Sequence, residues 1–143
     1  MIRTMNVLPQ AIICDLDGTL ALLNGRDPYD ASTCSEDALN EPVAHIVRTY
    51  AALGVTVIIV SGRNVRHRKE TEAWLAGHAI PYASLYMRRP RDFRKDAIIK
   101  AEVFEAKLRG SYDVLFVLED RDQTVAMWRG LGLTCLQVAP GDF

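Results

Sequence analysis

Two aspartates one residue apart, Asp15 and Asp17, stand with Gly18 and Thr19 directly after the apolar run Ala11-Ile12-Ile13-Cys14. If the chain stays extended there, side chains at i and i+2 point to the same side, so both carboxylates face one space. Such a pair can share a hard cation such as Mg²⁺, which takes oxygen ligands, and still leave one carboxylate to attack a phosphorus centre. An Asp-Gly pair alone is as readily a turn between elements. The preceding strand, Asp15 and Thr19 weigh against that bland reading.

Two further apolar runs end the same way. Val55-Thr56-Val57-Ile58-Ile59-Val60 gives way to Ser61-Gly62-Arg63, and Val114-Leu115-Phe116-Val117-Leu118 to Glu119-Asp120. A serine after a strand also suits the cap of the next helix, and that reading stands beside the functional one. Taken together, the set allows phosphate-ester hydrolysis. Asp15 is the candidate nucleophile, and Asp17 the acid that protonates the leaving oxygen and the base that activates water. Asp15, the backbone carbonyl of Asp17, and Asp120 could ligate Mg²⁺, with Glu119 acting through water or orienting its neighbours. Thr19, Ser61, Gly62 and nearby backbone N–H groups are candidates to hold the phosphate oxygens as charge develops. A lysine is also wanted, and Lys95 is the candidate because it follows the third strand and opens a helix. One more solvated cation in a basic loop is an equally good account of Lys95.

These residues need elements to bring them together. Strand and helix alternate about five times along the chain, which predicts an α/β fold with a parallel sheet of about five strands and helices on both faces. In such a sheet the carboxyl ends of the strands share one edge, where ligands bind. Helices are expected from Asn40, capping with Pro42 in the first turn, to Gly54, then over Asn64–Gly77, about Lys95–Leu108, and through Val125 and Trp128. Short strands are expected at Ser84–Met87 and Thr134–Gln137. Residues 21–40 read as a loop with no sustained periodicity, carrying one exposed cation, Arg26, in the turn Asn24-Gly25-Arg26-Asp27-Pro28-Tyr29. It is either a simple surface flap or a small flap that helps close the site.

At 143 residues the chain reads as one domain over 1–143, with 49% hydrophobic and 24% charged residues and a net charge of −1. The charge is segregated: the window from Arg63 to Lys95 carries +6 and the remainder −7, as a domain with one anion-binding face would show. Cys14, Cys34 and Cys135 have neither disulfide nor metal spacing, which suits a reducing cytoplasm. Met1–Pro9 has too short an apolar segment for a signal peptide, and no run approaches the ~20 apolar residues of a membrane span, so no membrane partner is expected.

The run Asp15-Leu16-Asp17-Gly18-Thr19-Leu20 resembles the first motif of the haloacid dehalogenase (HAD) superfamily of aspartate-nucleophile phosphatases. More narrowly, the chain resembles the 3′-phosphatase half of phage polynucleotide kinase/phosphatases. The matching pieces are Asp15–Leu20, Asn24-Gly25-Arg26, Val60-Ser61-Gly62-Arg63, Arg94-Lys95-Asp96, Asp120-Arg121, Met127-Trp128-Arg129 and Gly141-Asp142-Phe143. The resemblance implies a three-layer, Rossmann-like HAD fold without a large cap domain. It implies Mg²⁺-dependent removal of 3′-phosphates from RNA or DNA ends through a phospho-aspartate on Asp15, with Arg26, Arg63 and Asp92 as residues on which the family relies. The family's acidic pair is usually two aspartates, from which Glu119-Asp120 departs at Glu119. No G-x-x-x-x-G-K-[ST] motif appears, so 5′-kinase and ligase activities are expected of separate partners or of another part of a longer chain. A small-molecule nucleotidase and a non-catalytic nucleic-acid end-binding module are the alternatives. The apolar helix faces would serve a homo-oligomer as well as a core.

Overall fold

The computed structural model describes residues 7–143; residues 1–6, on which the expectation about a signal peptide largely falls, lie outside the described residues. In chain order, β1 (Gln10–Cys14) leads to a small antiparallel pair, β2 (Ala21–Leu22) and β3 (Ala38–Leu39). There follow α1 (Glu41–Ala52), β4 (Thr56–Asn64), α2 (Arg68–Gly77), β5 (Ser84–Arg88), α3 (Asp96–Val103), β6 (Asp113–Glu119), α4 (Asp122–Gly130) and β7 (Cys135–Gln137). The five long-range strands form one parallel sheet in the order β5-β4-β1-β6-β7. This is the α/β architecture that the alternation predicts. No helix among the described residues is long and apolar enough to cross a membrane.

β1 is central because it can be buried on both faces. Ala11, Ile12, Ile13 and Cys14 are all shut away from solvent. Successive side chains alternate between faces, and two cores result. Ile12 and Cys14 pack with Val43 and Val47 of α1 and Trp74 and Leu75 of α2. Ala11 and Ile13 pack with Phe104 and Leu108 on one side of the second layer and Val125 and Trp128 of α4 on the other.

Four local expectations change in the structure. β4 does not stop before Ser61 but runs on to Asn64, its pairing with β5 slipping between Val60 and Asn64. Ser61 is thus inside the strand, and the next helix starts with a separate 3₁₀ turn at Val65–His67. The α3 helix passes into a π-helical turn at Phe104–Leu108, so the predicted helix is continuous in space but not in hydrogen-bond pattern. Residues 21–40 are held by the β2–β3 pair. Asn40 does not cap α1 with its side chain; its amide donates to the Thr19 carbonyl at 2.8 Å, tying the helix start to the Asp15–Leu20 turn.

Because Ile12 is buried on the middle strand and cannot be replaced by rearrangement of one helix alone, Ile12→Ala should lower the unfolding free energy by roughly 2–5 kcal/mol. Urea denaturation should show a lower midpoint with an unchanged slope.

Candidate active site

The carboxyl ends of β1, β4 and β6 meet at one edge of the sheet, and the polar residues after each strand converge there. Asp15, Glu119 and Asp120 place carboxylate oxygens within 4.8 Å of one another, all three buried. Into this cluster reaches Lys100 from α3. Its Nζ donates to Asp15 Oδ1 and to Glu119 Oε2, each at 2.8 Å, and the side chain is closed off from solvent. Thr19 Oγ1 lies 3.2 Å from both Asp15 Oδ2 and Asp120 Oδ1. Glu119 is further fixed by the Trp128 indole N–H at 3.4 Å and receives the Asp120 backbone N–H at 3.2 Å. Gly18 has φ +82°, and a Cβ there would collide with the Asp120 carboxylate. The turn can therefore close only on glycine.

Burial sets the electrostatics. Burial and the neighbouring Glu119 charge push the Asp15 carboxyl up to about 8, against the pull of Lys100. Burial and Asp15 push Asp120 up to about 7. Burial opposes charge on Lys100, but Asp15 and Glu119 more than offset it and hold the ammonium above the ordinary lysine range. Fully ionised, three carboxylates and one ammonium leave two negative charges uncompensated in a buried cluster. Hard oxygen donors with that excess charge suit a divalent cation such as Mg²⁺. The residues present fit one.

Asp17 lines the same cleft but stands outside this cluster, so the two neighbouring aspartates do not share one set of partners. Its Oδ1 accepts from Arg26 Nη2 at 2.7 Å and from Arg63 Nη2 at 2.5 Å. Both guanidinium groups also bind Asp37, whose Oδ2 lies 2.9 Å from Arg26 Nη2 and 3.4 Å from Arg63 Nη2. Arg26 is therefore not the exposed cation of a turn: its side chain is 7% exposed and turned inward between two carboxylates. Asp37 has no sequence signal of its own. It lies in the irregular stretch before β3, and only the folding back of that stretch presents its carboxylate to the arginines.

The remaining candidates are placed unevenly. Ser61 is buried, and its Oγ accepts from the Arg63 backbone N–H at 3.1 Å; its own proton has no protein acceptor among the described hydrogen bonds. Gly62 lines the cleft, and a Cβ there would meet the Asp96 carboxylate. Thr19 is buried between carboxylates and does not line the cleft, so it braces Asp15 and Asp120 where a phosphate contact was expected. Lys95 is exposed just before α3 and makes no contact with the cluster; the lysine at Asp15 is Lys100. A signal for it exists: Lys100, Phe104 and Leu108 recur every four residues, which sets this lysine on the face that carries the two apolar residues. Asp92 lies on the rim and binds Arg94 Nη2 at 2.8 Å, touching neither Asp15 nor Asp17. Asp96 holds the inner position, accepting from Arg121 Nη1 at 2.8 Å and from Arg88. Of the metal candidates, the Asp17 carboxylate stands outside the acidic cluster.

Above these groups opens a cleft of about 470 Å³, with Asp15, Asp17, Glu119 and Asp120 among its lining. Pro28, Tyr29 and Ala31 of the flap form one wall. Much of the basic window is neutralised internally: Arg63, Arg88 and Arg94 each bind a carboxylate. Among the described lining residues, Arg66 and Arg91 are the arginines without a carboxylate partner.

A pH dependence follows. Asp15 and Asp120 have folded values above those of the unfolded chain, so the folded state retains protons that the unfolded state has released. Their contribution is complete below the unfolded carboxylate range and is lost as pH rises through about 7 to 8. Thermal melts in EDTA should therefore show Tm falling between about pH 5.5 and 8, and Mg²⁺ added at the upper pH should raise it by binding the folded state alone.

Comparison with known proteins agrees with this geometry. A protein of Autographa californica nuclear polyhedrosis virus described as a bifunctional polynucleotide kinase/RNA ligase is 35% identical over 126 residues, covering 86% of this chain and 18% of the viral protein. Two solved chains from Pnkp1/Rnl/Hen1 complexes, one of them described as an RNA repair complex, superpose with TM-scores of 0.93 and 0.94 at 53% and 52% identity. They cover 95% and 97% of this chain, and 44% and 49% of their own lengths. This chain thus spans less than half of each of these relatives. A HAD-like phosphatase structure from Mesorhizobium loti, at 14% identity and a TM-score of 0.60, shares the fold over 93% of this chain and 73% of its own. The family model of the polynucleotide kinase PNKP phosphatase domain matches residues 9–143, and with the acidic cluster, the lysine and the arginine pair in place, the chain belongs to that family of HAD phosphatases.

Proposed function

We propose that this domain removes 3′-phosphate groups from RNA or DNA ends by Mg²⁺-dependent hydrolysis through a phospho-aspartate on Asp15. One observation carries the reading: Asp15 and Asp17 line one open cleft, yet Asp15 is paired with Lys100 while Asp17 is held separately by two arginines. The two carboxylates occupy different electrostatic settings, as two different roles require.

Asp17 takes up a proton from solvent once the arriving phosphate has displaced it from its arginines; Asp15 then attacks phosphorus and the bond to the 3′-oxygen breaks, that oxygen taking the proton from Asp17. Water then gives its proton to Asp17 and attacks the acyl phosphate, releasing phosphate and restoring the Asp15 carboxylate. Mg²⁺ held by Asp15, Asp120 and the Asp17 carbonyl would neutralise charge between Asp15 and the phosphate. An incoming phosphate competes with Asp17 for the Arg26 and Arg63 guanidinium groups, which frees the carboxylate to move protons. The uncommitted proton of Ser61 can be donated to a phosphate oxygen. Lys100 keeps the nucleophile oriented.

The names of the relatives, a polynucleotide kinase/RNA ligase and an RNA repair complex, support polynucleotide ends as substrate and RNA as the favoured one. They also support a 5′-kinase and a ligase as working partners. Three free, buried cysteines support a cytoplasmic setting.

Phosphate release from a 3′-phosphorylated oligonucleotide, with Mg²⁺ and with EDTA, tests the reading. Release should require Mg²⁺ and vanish in Asp15→Asn, and Asp17→Asn should slow it roughly 10²–10⁴-fold. Absence of release with Mg²⁺, or full activity in Asp15→Asn, rejects it. Much faster turnover of free nucleoside monophosphates would favour a small-molecule nucleotidase. Lys100→Met should abolish activity, whereas Lys95→Ala should retain the wild-type rate; the reverse outcome would restore Lys95 to the site.

A further inference from the structure

The loop between β5 and α3 presents a large apolar ring to water. Phe93 is 92% exposed within the mostly charged run Arg89-Pro90-Arg91-Asp92-Phe93-Arg94-Lys95, and Pro28, Tyr29 and Phe143 line the same cleft. A single exposed hydrophobic residue is ordinary on a protein surface. What sets this one apart is how firmly its backbone is held.

Arg88 acts as the loop's internal strut. Its Nη1 donates to the carbonyls of Asp92 at 2.8 Å and Arg94 at 2.6 Å, the residues on either side of Phe93. Its Nε donates to the Gly62 carbonyl at 2.7 Å, and Nη2 to the Asp96 carboxylate. The loop is thereby tied to β4 and to the start of α3. Asp92 closes the apex from the other side, accepting from the Arg94 backbone N–H at 3.2 Å and Nε at 3.0 Å, while Arg94 continues to Glu102. Arg91 completes the turn at φ +62°, a left-handed conformation that costs a β-carbon-bearing residue energy. So many bonds fix this backbone that the ring is presented by a rigid mount, yet none of the described residues covers it.

Phe93 and Arg91 line the same cleft as Asp15, and Arg91 has no carboxylate partner among the described residues. A ring on a rigid mount beside an arginine without a carboxylate partner, in a cleft lined by further arginines, is a poor match for a protein surface, whose contact core is depleted of charge. It matches a single-stranded nucleic acid, which offers a base for the ring face and a phosphate for the cation. We propose that Phe93 is a stacking platform for a base of the single-stranded polynucleotide whose end enters the cleft, with Arg91 on the adjoining phosphate. The inference rests on the end-processing reading above and adds to it the means by which a polynucleotide is preferred over an isolated phosphate ester.

Binding is measured by fluorescence anisotropy at fixed salt. The probes are a single-stranded RNA of about ten nucleotides with a 3′-hydroxyl and an abasic oligomer of the same length and charge. Phe93→Ala should weaken the base-bearing oligomer about tenfold and leave the abasic oligomer unaffected, and Phe93→Trp should restore wild-type affinity. Arg91→Ala should weaken both oligomers alike and lower the salt dependence. The exposed position keeps Phe93 variants folded, which their melting curves will show. The proposal is overturned if Phe93→Ala binds the base-bearing RNA as tightly as wild type does. It also falls if both oligomers weaken equally, or if Phe93→Leu binds like the native protein, since leucine keeps apolar contact without a ring face. Such results alongside phosphate release from 3′-phosphorylated RNA reject the stacking role alone; absence of that release rejects the reading beneath it.

Discussion

One buried ammonium group makes the rest of the site affordable. Three buried carboxylates gathered at the end of a sheet would repel one another strongly in a low-dielectric setting. Lys100 lies between two of them, and Thr19 bridges the third. Its ammonium reaches there because Phe104 and Leu108, on the same face of the same helix, are locked into the core beside β1. Helix packing and site chemistry are therefore the same constraint. Moving α3 by one residue would withdraw the lysine and leave Asp15 unpaired.

A second layer of charge surrounds the first. Asp17 and Asp37 share Arg26 and Arg63, so the flap, which supplies Arg26 and Asp37, is bonded to β4, which supplies Arg63. The Trp74 indole donates to the Asp37 carbonyl at 2.8 Å, extending the link to α2. On the far side, Arg121 binds Asp96 and lies with its guanidinium carbon 5.4 Å from the Tyr29 ring and 4.5 Å from the Phe143 ring. The flap is thus pinned at both of its walls, and the cleft keeps a defined shape without a large cap.

The basic window illustrates how composition and field differ. Its charges are real, but several are consumed in building: Arg88 assembles a loop, Arg63 holds Asp17, and Arg94 bridges Asp92 and Glu102. A paired charge contributes little potential at a distance. Beyond the arginines that hold Asp17, what remains to meet an anion is a smaller set in the cleft lining, including Arg66 and Arg91.

Much of the fold could be read directly from the chain. The apolar runs of β1, β4 and β6 and the polar residues after them are local signals, because β-branched residues favour strands and Asp, Gly and Ser terminate them. Parallel topology then follows from alternation, and with it the meeting of Asp15, Ser61 and Glu119–Asp120 at one edge. Tertiary structure decided which cations and carboxylates complete the set. Lys95 and Lys100 are both lysines near the start of one helix, and only the rotation of that helix against the sheet turns one outward and the other onto Asp15. Asp96 turns inward from the start of that helix while Asp92 stays in the loop before it, bound to Arg94, and Arg26 and Asp37 meet only when the flap folds back. Local propensity acts over neighbouring residues, whereas the direction of a charged side chain is chosen by partners tens of residues away, and those partners exist only once the chain is packed.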